Sequence, residues 1–265
     1  MRATSFAASV AAVLASAGAA NAAIALATNG STLYRVDLMT ASVETFSISD
    51  DIVSQSVQPD GSILAYSNSS GPNGFEVYNL ADPLGAAPSL SLLTDTRSSQ
   101  APTHTLADGT LYAVKGGDLF TADPVSFELS FVNDIANLGG DANIIGGSAY
   151  DPASGAFYII SRDGNLRQVN DFNTPNPSAS LIGSTGADAE NHGMEFFDGV
   201  LYAAIQNAAG DELQIGSIDT STGAFTSLAS IPTNSLLPTS ISVIPAPGAA
   251  ALAGFAGLAA MRRRR

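Results

Sequence analysis

What most constrains this chain is that its middle repeats itself. Four stretches share one plan: QSVQPDG-SILAYSN from Gln55, THTLADG-TLYAVKG from Thr103, GSAYDPASG-AFYIISRDG from Gly147 and HGMEFFDG-VLYAAIQN from His192. In each, a short run ends in an Asp- and Gly-bearing turn and a Tyr- or Phe-bearing strand follows. The turn glycines are Gly61, Gly109, Gly155 and Gly199, spaced 48, 46 and 44 residues apart. The next strands begin at Phe75, Leu119, Leu166 and Leu213, spaced 44, 47 and 47. No apolar stripe of helical period runs through residues 23–244, so the repeat unit is a set of short strands. Four strands in ~40–45 residues is the size of one propeller blade.

The two ends of the repeat region complement each other. From Ala23, IALATNG, TLYRVDL and SVETFSI supply three strands of a unit that lacks its first. TSISVIP, from Thr239 to Pro245, supplies the missing one. Pairing the two closes a ring and removes open sheet edges. The expected fold is therefore all-β: a five-bladed β-propeller whose termini share one blade. A sixth blade would have to fit in residues 133–146, which is too short, and a β-sandwich or β-solenoid would not need the complementary ends. In a general way the body resembles secreted propellers of the WD40-like and quinoprotein-like kind, without a WD dipeptide or a kelch double glycine.

Outside that body lie two address-like segments. Met1 and Arg2 precede a small-residue apolar stretch, residues 6–20, and Ala20-Asn21-Ala22 gives the pattern that signal peptidase reads. Residues 1–22 are expected to be a signal peptide. The tail, 245–265, carries Pro245 and Pro247, an uncharged run over 248–261, and Arg262, Arg263, Arg264 and Arg265. Fourteen helical residues rise ~21 Å, short of a ~30 Å hydrocarbon core. A short hydrophobic, membrane-anchoring transmembrane helix with its arginines inside is the expectation. The tail resembles the PEP-CTERM sorting signal, with Ala246 where that family usually has Glu. The resemblance implies an exosortase-type sorting enzyme as partner, and a place at the cell surface or in the extracellular matrix.

Charge and composition narrow the function. Of ten Lys and Arg, only Arg35, Arg97, Lys115, Arg162 and Arg167 belong to the body, against all 24 Asp and Glu, a net −19. Such a surface repels phosphate backbones, so nucleic acid is not an expected partner. With no cysteine, neither disulfides nor thiolate metal sites are available.

In a propeller, loops from outermost to next innermost strand share a face with the turns between second and third strands. Here these segments are rich in Asn, Ser, Gly and Asp, which makes that face the default binding site. The candidate binding residues are His104, Glu190, Asn191, His192 and Glu195, near the expected channel mouth on that face. Two His and a carboxylate can ligate a metal, but the spacing follows no ligand pattern, and no metal or cofactor is expected.

No nucleophile-elbow motif occurs. Glu195 is the one clear carboxylate on an inward strand, Asp151 and Asp198 falling in turns. Tyr66, Tyr112, Tyr158 and Tyr202 recur at one position of the second strand, which points to blade packing. No catalytic residue is assigned. The leading expectation is a non-enzymatic interaction protein, with exopolysaccharide as a candidate partner. The alternative is a carbohydrate-active hydrolase or lyase working through a raised-pKa acid.

Overall fold

The computed structural model describes residues 23–68, 75–95, 103–138, 145–161, 163–186, 189–207, 209–234 and 237–246. They form twenty strands in five four-stranded antiparallel sheets. Blade I joins β20 (Thr239–Pro245) to β1 (Ala23–Asn29), β2 (Thr32–Asp37) and β3 (Val43–Ser47). Blade II holds β4 (Ile52–Val57), β5 (Ile63–Asn68), β6 (Phe75–Ala81) and β7 (Ser89–Asp95). Blade III holds β8 (Thr103–Ala107), β9 (Thr110–Lys115), β10 (Asp118–Ala122) and β11 (Leu129–Asp134). Blade IV holds β12 (Ile145–Asp151), β13 (Ala156–Ser161), β14 (Asn165–Asn170) and β15 (Ser178–Ser184). Blade V holds β16 (Ala189–Phe197), β17 (Val200–Asn207), β18 (Glu212–Ile218) and β19 (Phe225–Pro232).

The expected closure is present. β1 and β20 pair antiparallel from Ala23↔Pro245 to Asn29↔Thr239, and six of the seven residues of β20 are buried. Five apolar clusters fill the five seams between neighbouring blades. Side chains alternate across a strand, so a middle strand feeds two seams at once. Phe157 and Ile159 face blade III, while Tyr158 and Ile160 face blade V. This double burial explains why β13 is buried at every residue and reads as an unbroken apolar run.

Two kinds of glycine shape the inner ring. Asp108-Gly109 and Asp198-Gly199 both have positive φ, 48° and 77°, then 49° and 81°, the two-residue hairpin geometry that Asp-Gly favours. At Gly193 the need is for space, because a Cβ there would lie 2.6 Å from the backbone of Ser240 and Ile241.

Two expectations need correction. Tyr66 does not occupy the shared position: it lies five residues after Gly61, whereas Tyr112, Tyr158 and Tyr202 lie three after their glycines. The described part of 133–146, too short for a sixth blade, adds to the core. Beyond β11, Ile135 and Leu138 are buried between blades III and IV, and Ala136 bridges to Ser178 beside β15. Finally, the expected transmembrane helix is not found: no helix of the described residues is long and apolar enough to cross a membrane. The residues on which it was placed, 247–265, lie outside the described residues, as does the signal peptide, 1–22.

Candidate active site

All five innermost strands run in the same sense, from the loop face toward the turns at Gly61, Gly109, Gly155 and Gly199. On the loop face, chain leaving an outermost strand bonds to the turn between second and third strands. Examples are Ile135 N–H to the Gly117 carbonyl (2.9 Å), Thr185 N–H to Gly164 (3.0 Å) and Thr233 N–H to Asp211 (2.8 Å).

Midway along the axis the five strands meet in a polar girdle. Ser54 and Gln55 of β4, His104 of β8, Ser148 of β12, His192 of β16 and Ser240 of β20 surround a gap of only about 10 Å³. Gln55 Nε2 donates to Ser240 Oγ (2.9 Å), and Ser240 also shares a hydrogen bond with Thr28 Oγ1 (2.6 Å). Thr105 and Ser148 exchange a hydroxyl hydrogen bond of 2.6 Å. The His104 backbone N–H donates to Ser54 Oγ (2.9 Å), and its ring stacks on Tyr66 with centroids 3.5 Å apart.

His104 and His192 are 3% and 1% exposed, so they sit within the channel and not at its mouth. The reason is depth. His192 is the fourth residue of β16, and each strand residue advances ~3.3 Å. Burial also holds the His192 imidazole neutral, its pKa pushed down to about 4. Glu190 and Asn191 lie in the backbone of β16, but their side chains are outside the described residues. Among the described residues no group of three or more His, Cys, Asp or Glu can hold a metal ion.

Below the girdle the channel widens into a cavity of about 350 Å³, whose wall includes Glu195, Asp108, Tyr150, Thr105, Phe196 and the lower side of His104. It opens on the turn face, at exposed Asp108, Gly109 and Pro152. The cavity therefore opens on the face opposite the one the sequence made the default. Glu195, seventh of the nine residues of β16, is carried past the girdle to the opposite end.

Glu195 is half-buried, its edge on the cavity and protein around the rest. Burial pushes its carboxyl up to about 8, and a hydrogen bond from the Phe196 backbone N–H offsets this only in part. The carboxyl is consequently protonated at neutral pH. Tyr150 Oη donates to Asp108 Oδ1 at 2.6 Å, and this bond, with burial second, pushes the tyrosine up to about 12. Phe196 lies parallel to Tyr158, centroids 6.3 Å apart. The site thus pairs a neutral carboxylic acid with a second carboxyl group held by a phenol, against an aromatic wall.

Of the candidate residues, the structure brings His104 and Glu195 to this cavity and leaves His192 in the girdle above. Sequence reading missed Asp108, Tyr150 and Phe196. A signal did exist. Ser56, Thr105, Ala149 and Glu195 each pair with the residue three after a turn glycine, and all four line the cavity.

No family model matches the chain, and no curated protein matches it. Similar solved structures include a chain of a nidogen/laminin complex, 9% identical over 83% of this chain and 98% of that one, with a TM-score of 0.53. A periplasmic gluconolactonase from Pseudomonas aeruginosa is 14% identical over 87% of each chain, TM-score 0.45. A luciferin-regenerating enzyme is 13% identical over 79% of this chain and 72% of that one, TM-score 0.43. At these identities the likeness is one of fold. Two of these three propellers are named as enzymes, which runs against the expectation of a non-enzymatic interaction protein, but a likeness at this level shows the fold alone. They do not name a reaction for this chain.

Proposed function

We propose that the protein is a carbohydrate-active hydrolase cleaving glycosidic bonds outside the cell. The observation that carries this reading is a carboxyl held neutral at pH 7 on the wall of an open cavity, the property a general acid needs. A buried carboxyl kept only for packing would not need a cavity beside it.

In the proposed step the Glu195 carboxyl gives its proton to the glycosidic oxygen as the bond from that oxygen to the anomeric carbon breaks. Water adds to the anomeric carbon and loses a proton to Asp108. One glycoside and one water become two hydroxyl-bearing products. Asp108 then returns its proton to solvent and Glu195 regains one. Tyr150, through its hydrogen bond, is the positioning residue for Asp108. A lyase reading is less well supported, because eliminating lyases act on uronate polymers and two carboxyl groups line this cavity with no Lys or Arg among its wall residues.

Export by the signal peptide at 1–22 and recognition of the tail at 245–265 by an exosortase-type enzyme would bring the domain to exopolysaccharide. Mass spectrometry of the mature protein would find a new N-terminus at Ala23 and a C-terminus near Pro245–Pro247; intact terminal arginines would refute sorting. For the activity, the test is reducing-end release from neutral polysaccharides by the full chain. Glu195→Gln should lower kcat/KM by at least ~100-fold. The basic limb of the wild-type profile should fall near the Glu195 value of about 8. Equal activity of the variant would refute the assignment.

A further inference from the structure

The shape and charge of the cavity say more than that an acid stands in it. The axis is blocked above. All five innermost strands contribute to the girdle, its members Gln55, His104, Ser148, His192 and Ser240 are all at most 4% exposed, and the remaining gap of about 10 Å³ has room for about one water. The crowding is intrinsic to the ring, since at Gly193 the backbones of β16 and β20 leave no space even for a Cβ. The cavity is therefore a blind pocket with one opening, on the turn face. At about 350 Å³ it lies at the low end of small-molecule sites, ~300–1,000 Å³. The interior of a polymer needs a way in and a way out, and this pocket has one way only.

Charge adds a second restriction. The wall carries Asp108, the neutral acid Glu195, and neither Lys nor Arg. Arg35 and Arg167 are engaged elsewhere, with Glu44 and with Asp163. A sugar bearing a carboxylate or sulfate would meet like charge with no cation to answer it. Apolar surface is available for the C–H face of a neutral ring, at Phe196 and Tyr150.

We infer that this pocket receives the end of a glycan chain whose terminal sugar carries no acidic group, so that the protein trims chains from one end and does not cut within them. The inference rests on the proposed hydrolase function and deepens it. The test offers the full chain linear and cyclic neutral glucans of one linkage, linear glucosamine tetramers, and linear galacturonate tetramers. Products are followed by chromatography. Binding is measured calorimetrically on Glu195→Gln and, should that change unseat the pocket, on the wild type above pH 9, where the acid is ionised. Linear neutral or glucosamine oligomers should bind and lose small units from one end. Cyclic glucans and galacturonate should bind at least ~10-fold more weakly. Cyclic glucans bound as well as linear ones, random internal cleavage, or a preference for galacturonate would overturn the inference while leaving the hydrolase standing. Binding of chain ends with no turnover by the wild type would overturn the hydrolase and the trimming with it, leaving only a pocket that prefers chain ends. Failure of every linear oligomer to bind would sink both.

Discussion

Glu195→Gln makes a test of the site that needs no substrate. The Glu195 carboxyl stands at about 8 in the folded protein against 4.5 for the free group. A folded-state value above the unfolded one means that the folded chain holds a proton that the unfolded chain has lost. Between those two values stability must therefore fall as pH rises, and above both the loss is complete. The full difference corresponds to a ceiling of ~5 kcal/mol. Because Glu195 borders a cavity that water can enter, we expect ~2–3 kcal/mol. Glutamine is nearly isosteric and does not titrate, so it escapes this loss. Urea unfolding of both proteins at pH 4.5, 7 and 9 isolates the effect. The large negative charge of the body is shared by the pair and cancels to first order in their difference. Relative to wild type, the glutamine variant should gain ~2–3 kcal/mol between pH 4.5 and pH 9. A difference that stays constant across the range would refute the raised pKa, and with it the general acid.

Other outcomes follow from the ring itself. Ile241, 1% exposed in the seam between blades V and I, closes the propeller through β20; Ile241→Ala should cost ~3 kcal/mol, read as a lowered Tm by calorimetry. Gly199 and Gly193 should respond differently to asparagine. Gly199 has φ +81° with nothing within 4 Å of a new Cβ, so Gly199→Asn should change the urea midpoint little, since Asn tolerates that conformation. At Gly193 the added Cβ meets backbone at 2.6 Å, and Gly193→Asn should cost at least ~2 kcal/mol in the same assay. The Arg167 guanidinium holds Asp163 down to about 2 from 3.8. Its stabilisation is fully present above 3.8 and is lost as pH falls through about 2. Arg167→Met should therefore lower stability at pH 6 by ~1–2 kcal/mol and bring acid unfolding to higher pH, followed by circular dichroism.

The ring was legible in the sequence because the devices that build it are local and recur. An Asp-Gly turn, an apolar strand and a second turn come back every forty-odd residues, and the half-blades at 23–47 and 239–245 have no use except each other. The site was not legible in that way. Its wall draws on β4, β8, β12 and β16, separated by some forty residues each, and only the ring brings them together. Asp108 looked like an ordinary hairpin residue, which it also is: its φ of 48° belongs to the turn while its carboxyl accepts from Tyr150. The place of the cavity on the turn face was hidden for a related reason. Loop composition marks the loop face, but depth along β16 decides where a side chain emerges. His192 and Glu195 lie three residues apart, yet one stands in the girdle and the other in the cavity below it.

The repeat nevertheless carries a clue that composition does not. Positions equivalent across blades face equivalent surroundings, so they should carry interchangeable residues. Opposite the residue three after the turn glycine, blades II, III and IV have Ser56, Thr105 and Ala149, small side chains that the channel accepts at little cost. Blade V has Glu195 at that place. A carboxyl there is disfavoured by burial, as its raised pKa records, and an alanine or threonine would serve the fold better. Local choices that agree throughout a fold make an isolated, costly exception informative. Glu195 is such an exception, and it is the residue on which the proposed chemistry depends.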